Sequence, residues 1–100
     1  MDSSVVLINV FSIPQGMESE FLDKWHQTAE LMKNEPGFIE TKLHRSLEPT
    51  ARFQFINIAK WSSQSTWEAA FSKRISQQEI FEQQLLIEAN PALYQVEVEY

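Results

Sequence analysis

The sequence predicts an α+β fold in which a four-stranded antiparallel sheet carries its helices on one face, in the order β-α-β-β-α-β. Three observations lead there. Runs rich in β-branched and aromatic residues open the chain, fill its middle and close it; segments with apolar residues at three- and four-residue spacing separate these runs; and Pro14-Gln15-Gly16, Glu35-Pro36-Gly37 and Pro91 stand at the joints.

Residues 4–12 (SVVLINVFS) are apolar on both sides of a period-two pattern, which reads as a strand covered on both faces. From Met17 to about Asn34, the residues Met17, Phe21, Leu22, Trp25, Ala29 and Met32 form a helical stripe, with Glu18, Glu20, Lys24, Glu30 and Lys33 mostly away from it. Pro36 disfavours helical backbone at Glu35 and Gly37 permits positive φ, so the helix stops there. Residues 38–46 and 52–61 are strand-like, and the connection Leu47 to Ala51 contains Pro49, which predicts an antiparallel pair. Ser63 or Ser65 can cap a second helix, with Ser65 to Glu68 at capping-box spacing and Trp67, Ala70, Phe71 and Arg74 near one face. A further helical stretch is expected over 76–89, carrying Ile80, Phe81, Leu85 and Leu86 and closed by Pro91. Leu93 to Tyr100 then alternates Tyr94, Val96, Val98 and Tyr100 with Gln95, Glu97 and Glu99, as a half-buried last strand does. This order is that of the ferredoxin-like split unit.

Such a fold leaves one sheet face bare. In the first strand, Val6, Ile8 and Val10 oppose Val5, Leu7 and Phe11; in the third, Ile56 and Ile58 oppose Phe53, Phe55 and Trp61. No helix remains to cover the second apolar face, so a second copy packed sheet to sheet is expected. One domain should span residues 1–100, because a chain of this length with 43% hydrophobic residues supplies a single core and gains from covering more surface.

Eight Lys plus Arg against fourteen Asp plus Glu give a net charge of −6, the wrong sign for neutralising phosphates or docking on anionic lipid. Nucleic acid and membrane partners are therefore not expected. With no cysteine there is no disulfide, thiol nucleophile or thiolate metal site, and two histidines offer little for metal ligation. The N-terminus lacks a basic region and a long apolar run, so a cytoplasmic protein is expected. Gly-rich phosphate loops, the G-x-S-x-G elbow and the H-E-x-x-H helix are all absent.

Polar residues stranded among apolar neighbours are the candidates for chemistry, since burying an unpartnered amide costs about 1–3 kcal/mol. Asn9 and Asn57 are each the lone amide at an inner position of an apolar strand. Asn57 shares a face with Trp61, four residues or roughly 13 Å along the strand. The two could bracket a small aromatic ligand, or each amide could simply satisfy backbone or water. Trp25 and Trp67 are core residues by default, though each indole carries a donor that wants a partner, and with Phe21 they could wall a pocket. His26, at the edge of the first helical stripe, is included with the ligand-lining residues as a base candidate; His44 beside Arg45 is a weaker one.

The strand, Pro-x-Gly, F-L-x-x-W on a helix, N-E-P-G-F-I, F-I-N-I-A-K-W-S-S and W-E-A-A-F together resemble the antibiotic biosynthesis monooxygenase (ABM) domain family over nearly the whole chain. The resemblance implies small ferredoxin-like subunits paired as a dimeric α/β barrel. It is similar, in particular, to the cofactor-independent, quinone-forming oxygenases of that family, in which an Asn and a Trp four residues later line the cavity and a Tyr follows. Asn57 and Trp61 match; the Tyr position holds Trp67. In the haem-degrading branch, Asn9 matches a first-strand Asn, but the Trp position falls at Ala70 and no histidine follows His44. Haem degradation is accordingly disfavoured.

The expectation is a small monooxygenase that needs no cofactor and oxidises a phenolic or hydroquinone-like molecule with O₂. Asn57 and Trp61 would be catalytic donors to the developing oxyanion, with Asn9, Phe21, Trp25, His26 and Trp67 around the substrate. A ligand-binding dimer without catalysis, or an isomerase or decarboxylase on the same fold, is the alternative.

Overall fold

A computed structural model of the chain describes residues 4–74 and 86–100. Strand β1 (Val5–Ser12) leads through Pro14 and Gly16 to helix α1 (Glu18–Met32), followed by β2 (Phe38–Arg45), β3 (Phe55–Trp61), α2 (Gln64–Ser72) and β4 (Glu88–Tyr94). The strands form one antiparallel sheet in the order β2-β3-β1-β4. This is the expected ferredoxin-like arrangement, with the two central strands the most apolar in sequence.

Local chemistry sets the element ends. The first turn of α1 carries Glu18 and Glu20, which oppose the positive end of the helix dipole. Ser63 caps α2 by accepting the Thr66 backbone N–H at 3.2 Å, so the first of the two expected serines is the cap. A bulge at Ile39 interrupts the β2–β3 ladder between Phe38 and Glu40. The extra residue reverses the pleat, so Phe38 on one side of it and Thr41 on the other both line the helix-side cavity.

The C-terminal part corrects the sequence reading. The expected helix over 76–85 lies outside the described residues, but its last turn does not exist: Leu86 is in a turn at φ 56, Ile87 is buried, and Glu88 and Ala89 are already strand. Pro91 does not close a helix; it lies inside β4, opposite Asn9. Because β4 is an edge strand, a residue without an N–H is tolerated there. The expected strand over 93–100 ends at Tyr94, and Val96, Val98 and Tyr100 are exposed and outside the sheet.

Gly37 joins α1 to β2 at φ +87, and its carbonyl accepts the Ser62 N–H at 2.7 Å. A methyl group at this position would run into the Thr66 side chain. Gly37→Ala therefore combines a left-handed backbone penalty with overpacking, together about 2–4 kcal/mol. A melting temperature lowered by at least about 10 °C is expected for a domain of this size, measurable by circular dichroism.

The same corner is tied by Glu35, whose carboxylate accepts Lys73 Nζ at 2.9 Å and Arg74 at 3.1 Å. The Lys73 hydrogen bond, outweighing partial burial and assisted by Arg74, holds the Glu35 carboxyl below its ordinary value of 4.5. A depressed folded value means that the stabilisation is present above the unfolded value and is lost as pH falls through the folded one. Thermal melts between pH 6 and pH 3 should lose stability in the acid limb, and Glu35→Gln should flatten that part of the curve.

Candidate active site

The helix-facing side of the sheet carries two apolar clusters rather than one. Val5, Leu7, Ala59, Trp61 and Ala70 form the first; Phe11, Ile13, Phe21, Phe55 and Ile87 form the second. Between them, in register across the central strands, stand Asn9 and Asn57, with Leu43 beyond Asn57 and Pro91 beyond Asn9. The two amides thus occupy the row where the core divides, and a cavity of about 220 Å³ opens over them.

The cavity is largely apolar, roofed from α1 by Phe21, Trp25, Ala29 and Met32 and from α2 by Trp67 and Phe71, whose rings stack at 4.9 Å. Its polar groups are few and specific. Asn57 Oδ1 accepts the Thr41 hydroxyl at 2.5 Å, which leaves the Asn57 NH₂ group as its free end. Asn9 Oδ1 accepts the Asn90 backbone N–H at 3.0 Å and the Asn90 side chain donates to the Val10 carbonyl, so Asn9 also keeps its donors. Trp61 is 1% exposed, and the indole N–H groups of Trp61 and Trp67 are buried without a hydrogen-bond partner. Orphaned buried donors are uncommon, and both of these indoles belong to residues of the cavity lining.

The structure brings together Asn9, Asn57, Phe21, Trp25, Trp61 and Trp67 around this space. It leaves out His26, which is exposed and meets Trp25 edge to face at 5.7 Å. His44 lies on the far side of the sheet, exposed, with its Nδ1 3.3 Å from the Ile56 carbonyl. Thr41, Thr28 and Lys24 also line the cavity and were not singled out by sequence reasoning. The helical spacing Lys24, Thr28, Met32 was the available signal on α1, but it fits a solvated edge equally well, and the bulge at Ile39 hides the inward position of Thr41 from a simple period-two count. Among the described residues, the lining contains no acid, histidine or tyrosine, and no three metal-binding side chains converge anywhere. No described helix is long and apolar enough to cross a membrane.

The fold and site can be set beside known proteins. A structure from Shewanella loihica PV-4, provisionally described as a monooxygenase, is 32% identical over 99% of both chains, with a TM-score of 0.85. SnoaB, a cofactor-independent oxygenase from Streptomyces nogalater, is 21% identical over 97% of this chain and 96% of its own, with a TM-score of 0.79. A variant of MhuD with two manganese protoporphyrin IX molecules per active site shares the fold at 19% identity, 96% and 97% coverage and a TM-score of 0.73. No curated protein matches the sequence significantly. The family model for antibiotic biosynthesis monooxygenase matches residues 4–82. That match supports a small monooxygenase-type function, and with the 32% identical structure it establishes that the chain belongs to the antibiotic biosynthesis monooxygenase family.

Proposed function

We propose that the protein is a monooxygenase that oxidises a phenolic or hydroquinone-like molecule with O₂ and draws its electrons from the substrate. The observation that carries this reading is the Asn57 amide in the cavity lining, whose oxygen is already engaged by Thr41, with the buried indole of Trp61 and its unpartnered N–H on the same strand face. The free polar end of Asn57 is a donor, and the Trp61 N–H is a second donor within reach of a small side-chain adjustment, which suits an oxygen that becomes more negative during reaction.

Donors aimed at the phenolic oxygen favour its ionised form, and the phenolate is the electron-rich species that can reduce O₂. One electron passes from phenolate to O₂, the resulting radical pair combines at a ring carbon, and the ring peroxide loses water. One oxygen atom stays on the ring as a quinone carbonyl and the other leaves as water, so the substrate supplies all four electrons. An apolar cavity strengthens the donors' hold on the oxyanion and keeps competing water away. SnoaB, which shares this fold, is by its description a cofactor-independent oxygenase, in keeping with a site of this kind. Oxygen uptake with a panel of phenols and hydroquinones, without added flavin or haem, tests the reading. Absence of uptake across one- and two-ring substrates, with binding intact, would leave a ligand-binding protein instead.

The same reading includes a homodimer. The sheet face away from the helices bears Val6, Ile8, Val10 and Ile56, half-exposed, and Ile58 at 36% exposure, flanked by Tyr94 at 51%. A contiguous apolar patch on the bare face of a sheet is what a second copy would cover.

A further inference from the structure

The cavity's size and one cation at its rim point to a narrower ligand class. A cavity of about 150 Å³ holds a benzene ring. The 220 Å³ here is larger by about half, room for one substituted ring or two fused rings. Its interior polar groups are the amides of Asn9 and Asn57, whose free ends are donors, and the hydroxyls of Thr28 and Thr41, and the one charged residue in the described lining is Lys24. Lys24 is exposed, so it stands where the cavity meets solvent, one helical turn before Thr28 on the same edge of α1.

Of the chain's five lysines, Lys24 and Lys42 make no ion pair among the described residues, and of these two only Lys24 lines the cavity. Lys33, Lys60 and Lys73 are held by Glu30, Glu40 and Glu35. Lys24 has Glu20 one turn before it, at the favourable i, i+4 spacing, yet makes no ion pair among the described residues. In a chain of net charge −6, the rim of the cavity therefore carries an uncommitted positive charge, while its floor carries the free donor ends of Asn9 and Asn57. An aromatic molecule lying between them meets donors at one end and a cation at the other.

We propose that the ligand is a one- or two-ring phenol bearing a second, anionic substituent such as a carboxylate, and that Lys24 is the residue that selects for this substituent. The inference rests on the placement of the phenolic oxygen at Asn57 and Trp61. It adds a specificity element at the opposite end of the ligand, where a charge at the rim acts on binding rather than on the oxidised carbon.

The test is equilibrium binding of 6-hydroxy-2-naphthoate and its neutral near-isostere 6-hydroxy-2-naphthamide, followed anaerobically by tryptophan fluorescence. The acid should bind roughly fivefold to tenfold more tightly than the amide, between the worth of an exposed ion pair and that of a charged hydrogen bond. Added salt should shrink the difference. Lys24→Gln should abolish the preference, bringing the acid's affinity down to that of the amide, and Lys24→Arg should retain it. Equal binding of acid and amide by the wild-type protein, or a preference that survives Lys24→Gln, overturns the proposal; failure of both probes to bind at millimolar concentration overturns it as well. Oxygen uptake is measured separately. A Lys24-dependent preference without turnover removes the monooxygenase reading alone, whereas Asn57-dependent turnover with no acid preference removes the Lys24 assignment alone.

Discussion

Asn57→Ala should lower kcat about a hundredfold to a thousandfold on any phenolic substrate the protein turns over, with a much smaller change in KM. The reasoning is geometric. Asn57 Oδ1 is fixed by the Thr41 hydroxyl, so the NH₂ group is held in one orientation before substrate arrives. A preorganised donor of this kind is worth roughly 3–4 kcal/mol in the transition state, where the oxyanion is fully developed, and less in the ground state. The substitution also leaves the Thr41 hydroxyl without its acceptor, so a thermal melt must accompany the kinetics. Asn57→Asp keeps the shape and the Thr41 contact but replaces donor hydrogens with a negative oxygen, and should be at least as damaging to kcat with the fold intact. Trp61→Phe keeps an aromatic ring and deletes the N–H; about tenfold to a hundredfold is expected. Turnover of Asn57→Ala within about twofold of wild type would show that the amide plays no part in the chemistry.

This site was legible in part because strand periodicity is so simple. Period two puts Asn57 and Trp61 on one face of β3 and Asn9 with Leu7 and Phe11 on one face of β1. The pairing of Asn9 with Asn57 themselves required the β1–β3 register, and the gap between two core clusters required the helices as well. Thr41 could not be chosen from sequence because the bulge at Ile39 shifts the parity of β2, and an exposed-looking threonine on a strand has many uses. His26 illustrates the opposite error. On a helix, its neighbour Trp25 turns toward the cavity, and a residue one position further is rotated by about 100° and faces solvent.

The fold was legible through α2 for a related reason: each element to that point ends on a strong local signal. The C-terminus was not, because a proline reads as a helix stop unless the strand that contains it is known to be an edge. Edge status is a property of the whole sheet, set by the order β2-β3-β1-β4, and no local pattern carries it. The alternation of Tyr94, Val96, Val98 and Tyr100 is real, but only the first of these lies in the sheet, and the others are exposed in the single chain.

Ile8→Glu should convert the expected homodimer to a folded monomer. Ile8 sits at the middle of β1, flanked in register by Ile58 on β3 and Ala92 on β4, on the face away from the helices. In the single chain this position is only half-buried, so a glutamate there can reach water and the helix-side core is untouched. In a sheet-to-sheet dimer it would be buried against the apolar residues of the second copy. Two-fold symmetry would also introduce the charge twice into one interface. An unpaired buried charge costs about 3–5 kcal/mol, which raises the dissociation constant by at least about two to three orders of magnitude. Light scattering at micromolar concentration should therefore report twice the chain mass of 11.7 kDa for the wild type and the chain mass for the variant, with unchanged far-ultraviolet circular dichroism. The cavity lies on the opposite face of the sheet, so an aromatic ligand should still bind the variant. A wild-type monomer, or a variant that remains dimeric, would place the interface elsewhere and leave the apolar face of β1 and β3 in need of a different partner.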